Sequence, residues 1–441
     1  MNKNKAAWFA LAVLFAINAV NFFDRLVIGA VGEPIRLEFG LDDKMLGLLS
    51  TAFTLVYAVV GLPFGRIADR LSRKRILSIG VFAWSLLTGL SGIAQSFWQI
   101  FTARLGVGIA EASCAPAATS LIADLFPAEK RARAMSIFML GLPIGIALSF
   151  AVSGAVAKQY GWRAAFFVAG IPGLILASAS LFIPEPERGS SDKAGIDKIP
   201  FSGSPFRKIV ASPVMRWLII SGAIHNFSLY ALSFFLTPLL IRYHKLDIQQ
   251  ASFVAMVING LLTIPGLLLG GFVGDAAKRW RKDGALIVLT VAAFASAPLF
   301  YLGLQVSPGN ITAFIALFGA AFTLMYFYYA IVYATIQDVV APEIRATAMS
   351  VYFMVMYVLG GALGPYAVGA LSDHFTKQAA ESAGVVSTEL FEPFRSAGLH
   401  SAMFIVPVLS VVLAFVLLMA SRRLPEENAV EAYSASKETE R

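Results

Sequence analysis

Asp24 and Arg25 stand side by side inside the first long apolar run of this chain, in the stretch Asn21-Phe22-Phe23-Asp24-Arg25. A charge near the centre of a bilayer is expensive, so an apolar run that keeps one generally uses it for an ion or substrate pathway. A second charged pair follows in Arg104-Leu-Gly106-Val-Gly108-Ile-Ala110-Glu111. Arg104 and Glu111 are nearly two helical turns apart and share one face. Counted inward from the helix ends, Asp24 and Arg104 reach a similar depth of about 10 Å, with Glu111 nearer the midplane. The two carboxylates and two arginines are therefore expected to face one cavity as a network. Such a network suits proton coupling. Burial raises a carboxylate pKa and a neighbouring arginine lowers it, so relocating the arginine switches the proton on or off. The competing reading is a fixed ion pair clamping the two helices together.

The elements that must hold these residues follow from composition. Of 441 residues, 58% are hydrophobic and only 14% charged, far from the balance of a soluble protein. The net charge of +8 does not point to nucleic acid, because the basic residues sit in short loops between apolar runs. A single cysteine, Cys114, excludes an internal disulfide and a thiolate metal cluster. The first apolar run is too long for a cleaved signal. Segments long enough to span a membrane lie at 6–31, 45–68, 75–95, 98–125, 132–158, 162–184, 214–241, 248–275, 284–304, 310–338, 346–372 and 400–421. This predicts an all-α membrane protein of twelve transmembrane helices. One set of loops holds Arg70, Arg73, Lys74 and Arg75, then Lys130, Arg131 and Arg133, then Lys278, Arg279, Arg281 and Lys282. The alternate loops hold little: Arg36 and Lys44, Lys158 and Arg163, Arg242 and Lys245, Lys377 and Arg395. That asymmetry predicts a multi-pass protein with both termini in the cytoplasm.

The chain also repeats itself. Asp124-Leu-Phe-Pro-Ala-Glu129-Lys-Arg131-Ala-Arg-Ala134-Met135-Ser136 recurs as Asp338-Val-Val-Ala-Pro-Glu343-Ile-Arg345-Ala-Thr-Ala348-Met349-Ser350. Gly65-Arg-Ile-Ala-Asp69 recurs as Gly271-Phe-Val-Gly-Asp275. The expected organisation is a six-helix bundle over 1–185, a Pro-, Gly- and Ser-rich linker over 186–213, a second bundle over 214–423, and an irregular polar tail over 424–441. Parallel repeats of six spans place a binding site between the halves near mid-membrane.

The loop after the second span reads Gly65-Arg66-Ile-Ala-Asp69-Arg70-Leu-Ser72-Arg73-Lys74-Arg75. It resembles the signature of the major facilitator superfamily, with Ser72 in place of the usual second glycine. The resemblance implies the major facilitator fold of two pseudo-symmetric bundles, and a gating role at the cytoplasmic face for Gly65, Asp69, Arg70 and Arg73, with Asp275 as counterpart. Arg131 and Arg133 are the expected partners of Asp69. For the basic run Arg70 to Arg75 as a whole, setting topology is explanation enough. Asn21-Phe-Phe-Asp24-Arg25, Arg104 through Glu111-Ala-Ser, and Pro184-Glu-Pro-Glu-Arg188-Gly resemble the spinster branch, which is linked to sphingolipid and lysolipid transport. Ala110 and Cys114 depart from that branch's pattern. An organic-anion symporter branch shares the helix-one motif, and a multidrug exporter is the further alternative.

The second half lacks a matching charge set. Its intramembrane polar residues include His225, Asn226, Asn259 and Thr263, beside the aromatics Tyr326, Tyr328, Tyr329, Tyr333, Tyr352 and Tyr357. With Asn21, the residues His225, Asn226, Asn259, Tyr329 and Tyr357 are the expected cavity lining. His225 reads as a hydrogen-bonded core histidine ahead of a proton carrier. Opposite a charged half, an aromatic, Met-containing half suits an amphipathic substrate. An enzyme is not expected, because no nucleophile–base pair or metal-ligand spacing is visible. No phosphate-binding loop is present either, so a proton gradient is the expected energy source, with no cofactor or metal. The expected partners are an amphipathic small molecule, protons and membrane lipid, with no nucleic acid. The resemblance implies a monomer in a bacterial-type inner membrane.

Overall fold

A computed structural model describes residues 3–68, 71–187, 205–340 and 344–439, and among them every regular element is helical. The first half contributes α1 (Lys3–Phe39), α2 (Asp43–Ala68), α3 (Arg73–Ser91), α4 (Phe97–Glu111), α5 (Cys114–Leu125), α6 (Ala128–Met139), α7 (Gly141–Tyr160) and α8 (Trp162–Ser180). After a short α9 (Pro205–Ala211) come α10 (Pro213–Arg242), α11 (Ile248–Met256), α12 (Thr263–Trp280), α13 (Gly284–Leu304) and α14 (Ile311–Val339). The chain closes with α15 (Arg345–Val355), α16 (Leu363–Ser382), α17 (Arg395–Met403) and α18 (Ile405–Thr439). Two π-helical segments, Val257–Leu261 and Met356–Ala362, join α11 to α12 and α15 to α16.

Several expected spans are broken, and the breaks have a common cause. Proline lacks an N–H, and its ring clashes with the carbonyl four residues earlier. Pro116 thereby interrupts the fourth expected span at Ala112, between α4 and α5. Pro143 does the same at Met139, Pro265 at Leu261, Pro365 at Gly361 and Pro407 at Met403, each at or beside the end of a helical segment. Pro34, Pro172, Pro238 and Pro298 stay inside continuous helices. Taken together, 11 stretches among the described residues are long and apolar enough to cross a membrane. The remaining expected span is present as α3, whose first turn carries Arg73, Lys74 and Arg75. Large apolar side chains such as Ile175, Phe182 and Phe272 are mostly exposed, as lipid-facing surfaces require.

Two readings are corrected. The first helix was expected to end at residue 31 but continues to Phe39, burying Glu33 and Arg36. The tail after Arg423 was expected to be irregular, yet α18 runs on to Thr439, consistent with its helix-favouring Ala and Glu content. Most of the expected linker, residues 188–204, lies outside the described residues.

By packing, the chain divides into two compact units. The first comprises Met1–Asp197, Ser233–Gly260 and Pro365–Leu399; the second comprises Lys198–Leu232, Leu261–Gly364 and His400–Arg441. The core of the first unit joins Leu14 and Ile17 of α1, Val81 and Trp84 of α3, and Leu121 of α5. Close helix contact there depends on glycine. A methyl group at Gly145 of α7 would collide with the Ala19 carbonyl of α1. The core of the second unit joins Leu218 of α10, Leu289 of α13, Ile336 of α14 and Leu417 of α18.

Candidate functional site

Within the first unit, α1 presents Asp24 and Arg25 to different partners, because consecutive residues on a helix point about 100° apart. Arg104 Nη2 lies 3.3 Å from Asp24 Oδ1, and its Nη1 donates to the Asp24 carbonyl at 3.4 Å. Thr88 of α3 donates its hydroxyl to Asp24 Oδ2 at 2.8 Å and accepts from Arg104 Nη2 at 3.2 Å. Arg25 Nε donates to Glu111 Oε2 at 2.9 Å. The expected four-residue network thus takes the form of two separate pairs, each tying α1 to α4. Asp24 is 1%, Arg104 2% and Glu111 0% exposed. Arg25 lies over Tyr57, with its guanidinium carbon 4.2 Å from the ring centroid, and also packs on Phe22 and Phe53. Buried cations favour such faces once desolvated.

The local sequence explains how α4 delivers both groups. Gly108 meets the backbone of Phe53 so closely that a Cβ would stand 2.7 Å from its carbonyl oxygen, which seats α4 against α2. Glu111 is the last residue of α4, directly before the break set by Pro116. Glu111 Oε1, Arg104 Nε and Asn21 Nδ2 are buried without hydrogen-bond partners. Unsatisfied buried polar atoms are costly, and in native proteins each one calls for an explanation such as strain, catalysis or a ligand.

The other expected cavity residues divide between the units. Asn259 lies on the π-helical segment of the first unit and accepts from Ser233 Oγ at 2.9 Å. The remainder belong to the second unit, where Tyr329 donates to Asn226 Oδ1 at 3.2 Å and Tyr357 sits edge-on to Tyr230. His225 is fully buried and stacks on Tyr328 with ring centroids 3.9 Å apart. Neither of its ring nitrogens has a hydrogen-bond partner, so it is not the hydrogen-bonded core histidine expected from sequence. Stacking and close packing hold the ring. Tyr328 is fixed in turn by Ser221 at 2.6 Å and Tyr352 at 3.0 Å.

Of the expected gating residues, Asp69 and Arg70 lie outside the described residues. Gly65 is within α2, Arg131 is half-buried on α6, and Arg133 and Asp275 are exposed. Arg73 corrects the topology-only reading of the basic run. It is 1% exposed, pairs with Asp124 and with Glu185 at 3.3 Å, and donates to Ser120 Oγ at 3.0 Å. Glu185 also accepts from the backbone N–H groups of Arg73 at 2.8 Å and Lys74 at 3.2 Å, capping the N-terminus of α3. Burial opposes ionisation of Glu185, but the Ser72 hydroxyl, these backbone donors and Arg73 together hold its pKa below the usual value.

Residues 14–365 match the Major Facilitator Superfamily. Spinster homolog 3 of Danio rerio is 30% identical over 389 residues, covering 85% of this chain and 78% of that protein. The chain is a spinster-type member of the major facilitator superfamily. Its structure is similar to a crystal structure of a bacterial homolog to the human lysosomal transporter spinster, in an inward-facing and unoccupied conformation. That likeness has a TM-score of 0.87 at 27% identity, over 96% of this chain and 98% of the other. An MFS-type efflux pump of Mycolicibacterium smegmatis is 28% identical over 375 residues, covering 84% of this chain and 86% of the pump. The fold is thus the major facilitator fold of two pseudo-symmetric six-helix bundles, and the protein is a transporter related to the spinsters.

This spinster relative carries a further ionic cluster that sequence reasoning missed. It lies at the end of the first unit remote from the chain's N-terminus. Arg242 of α10 donates from Nε to Glu33 at 2.8 Å and from both terminal nitrogens to Asp43, each at 2.8 Å. Ser372 of α16 donates to Asp43 at 2.6 Å. Arg36 pairs with Glu33 at 2.9 Å and with Glu392. Asp373 accepts from the backbone N–H groups of Asp43 and Lys44 and pairs with Arg395 at 3.1 Å. The cluster joins α1 and α2 to α10, α16 and α17. Arg36, Arg242 and Arg395 had been read as sparse loop charges; Arg36 and Arg242 are in fact buried, and Arg395 is largely so. The available signal was Glu33 and Arg36 at i,i+3 beyond the expected helix end.

Proposed function

We propose that this protein is a proton-coupled secondary transporter that moves an amphipathic small molecule by alternating access. The observation that carries the reading is the pair of buried ion contacts, Asp24–Arg104 and Arg25–Glu111, between two membrane-spanning helices. Protonating either carboxylate removes one charge of its pair and frees the arginine, which alters the contact between α1 and α4. Asn21, one turn before Asp24 and Arg25 on α1, and Asn259 on the π-helical segment supply further polar groups. The aromatic residues around His225, Asn226, Tyr329 and Tyr357 supply the surface suited to a lipid-like body. The Arg242 cluster acts as the latch on the external side, and the Gly65-to-Arg73 segment with Asp275, Arg131 and Arg133 as the gate on the cytoplasmic side. The lysine and arginine distribution supports placing both termini in the cytoplasm, and the membrane is of the bacterial inner type. The protein acts as a monomer, without cofactor or nucleic acid.

Reconstitution in liposomes tests the reading. Lysolipids, sphingoid bases, organic anions and drugs are each offered at two pH values, and counterflow of the labelled compound marks a carrier cycle. Asp24→Asn and Glu111→Gln are expected to keep substrate binding while abolishing the response to an imposed pH gradient. Unchanged proton dependence in both variants overturns the coupling role. The similarity to a mycobacterial efflux pump favours a second reading, export of drug-like compounds, in which drugs rather than lysolipids would support counterflow.

A further inference from the structure

The second unit holds a cavity of about 230 Å3 at one end of its helices. Its lining includes Lys278 at the end of α12, Lys282 in the turn to α13, and Thr335 and Asp338 on α14. Leu286 of α13 and Leu424 of α18, both buried, form its apolar floor. The volume falls below the roughly 300 Å3 at which drug-sized pockets begin, so it suits a headgroup better than a whole substrate. Lys278 pairs with Asp338 at 2.7 Å, and Lys282 is exposed at the rim. Among the described lining residues, the charge is that of one excess ammonium, which a single phosphodiester monoanion neutralises.

The two halves differ here in a telling way. In the first half the repeat residue Asp124 pairs with Arg73, which is also satisfied by Glu185. In the second half the repeat residue Asp338 is the one carboxylate bonded to Lys278 among the described residues. Trp280, in the same turn, is 91% exposed. A tryptophan at a helix end with its ring outside the protein marks the headgroup level of a membrane.

We infer that the cavity between Lys278, Lys282 and Asp338 is a binding site for the phosphodiester headgroup of an anionic glycerophospholipid. The phosphate oxygens accept from the Lys282 and Lys278 ammoniums, Asp338 accepts from a headgroup hydroxyl, and the glycerol backbone rests on Leu286 and Leu424. The apolar floor and the Trp280 level favour lipid over free phosphate as the source.

The test uses the full chain purified in a neutral detergent. Phosphatidylglycerol, phosphatidylcholine and inorganic phosphate are titrated separately, with the melting temperature and the lipid retained in native mass spectrometry as readouts. Phosphatidylglycerol is expected to raise the melting temperature and to be retained, while phosphatidylcholine does neither. Lys282→Gln removes an exposed charge that folding does not need and should weaken phosphatidylglycerol binding about tenfold, the loss of one charge-assisted contact. Lys44→Gln, at the far end of the first unit, should leave binding unchanged. An equal response in wild type and Lys282→Gln overturns the site. Stabilisation by inorganic phosphate but not by phosphatidylglycerol overturns the lipid assignment.

Discussion

Replacing Arg242 with glutamine removes the guanidinium that holds Glu33 and Asp43 together. Both carboxylates are buried, Asp43 at 0% and Glu33 at 4% exposure, so each would be left short of its main cationic partner. Breaking a buried pair in this way costs about 3–5 kcal/mol. At about 1.4 kcal/mol per tenfold, even the lower figure is two decades in a conformational equilibrium. Moving a two-state population from 1:99 to 99:1 takes roughly 5.5 kcal/mol, so Arg242→Gln alone should shift a large part of the population if the cluster is a latch. Spin labels at the exposed positions Leu37 and Lys377, both within the first unit, report the shift by pulsed dipolar spectroscopy. The wild type should give one short distance, and Arg242→Gln a second, longer one. Unpaired charge could also simply destabilise the fold. The triple variant Glu33→Gln, Asp43→Asn, Arg242→Gln removes every charge of the triad and should regain most of the lost melting temperature while staying unlatched. A lowered melting temperature with an unchanged distance distribution in Arg242→Gln would refute the latch and leave a purely structural cluster.

Two further outcomes follow from the same unit. The folded-state pKa of Glu185 lies below its unfolded value of about 4.3, so its contribution to stability is complete above that value and is lost as pH falls through the folded pKa. Thermal melts between pH 7 and pH 3 should therefore show a low-pH loss in wild type that is smaller in Glu185→Gln; identical pH profiles would remove Glu185 from the cap of α3. Gly145→Ala forces a methyl against the Ala19 carbonyl and should destabilise by about 1–3 kcal/mol, read as a drop in melting temperature, whereas an unchanged melt would mean that α1 and α7 can separate freely.

The membrane spans, the repeat and the charged residues of α1 and α4 were legible because each is written in local pattern. Apolar length sets a span, and an Arg-to-Glu spacing of seven sets a shared helix face. Depth counting matched Asp24 to Arg104, but it could not show that Arg25 turns away to Glu111. That choice depends on helix rotation and on aromatic faces, of which Phe22 is local but Phe53 and Tyr57 come from α2. The Arg242 cluster was invisible for a related reason. Its members are spread from Glu33 to Arg395, and a charge a few residues beyond an apolar run looks the same whether it ends in a loop or extends a helix. Arg73 was obscured by its neighbours, since a basic run reads as topology until one member proves buried.

One helix links two of the ionic clusters of the first unit. Asp24 and Arg25 lie nine and eleven residues before Glu33 and Arg36 on α1, roughly 14–17 Å along a straight helix. A rigid α1 would carry any displacement at one cluster to the other almost undiminished. The intervening sequence is not built for rigidity. Gly29, Gly32 and Pro34 fall between or beside the clusters, and Pro34 removes the hydrogen bond to Ala30. At Gly29, α1 faces the backbone of Ser233 and Phe234 on α10, the helix that carries Arg242, with room for a methyl group in ordinary contact. The segment therefore combines a bendable joint with an ordinary packing contact to α10 at the same level. Motion at the Arg25–Glu111 pair would be shared between bending at this joint and sliding against α10, and only the second component loads the Arg242 cluster. The coupling between the clusters is for that reason partial, set by the stiffness of Gly29–Pro34 rather than by the strength of either set of ion pairs.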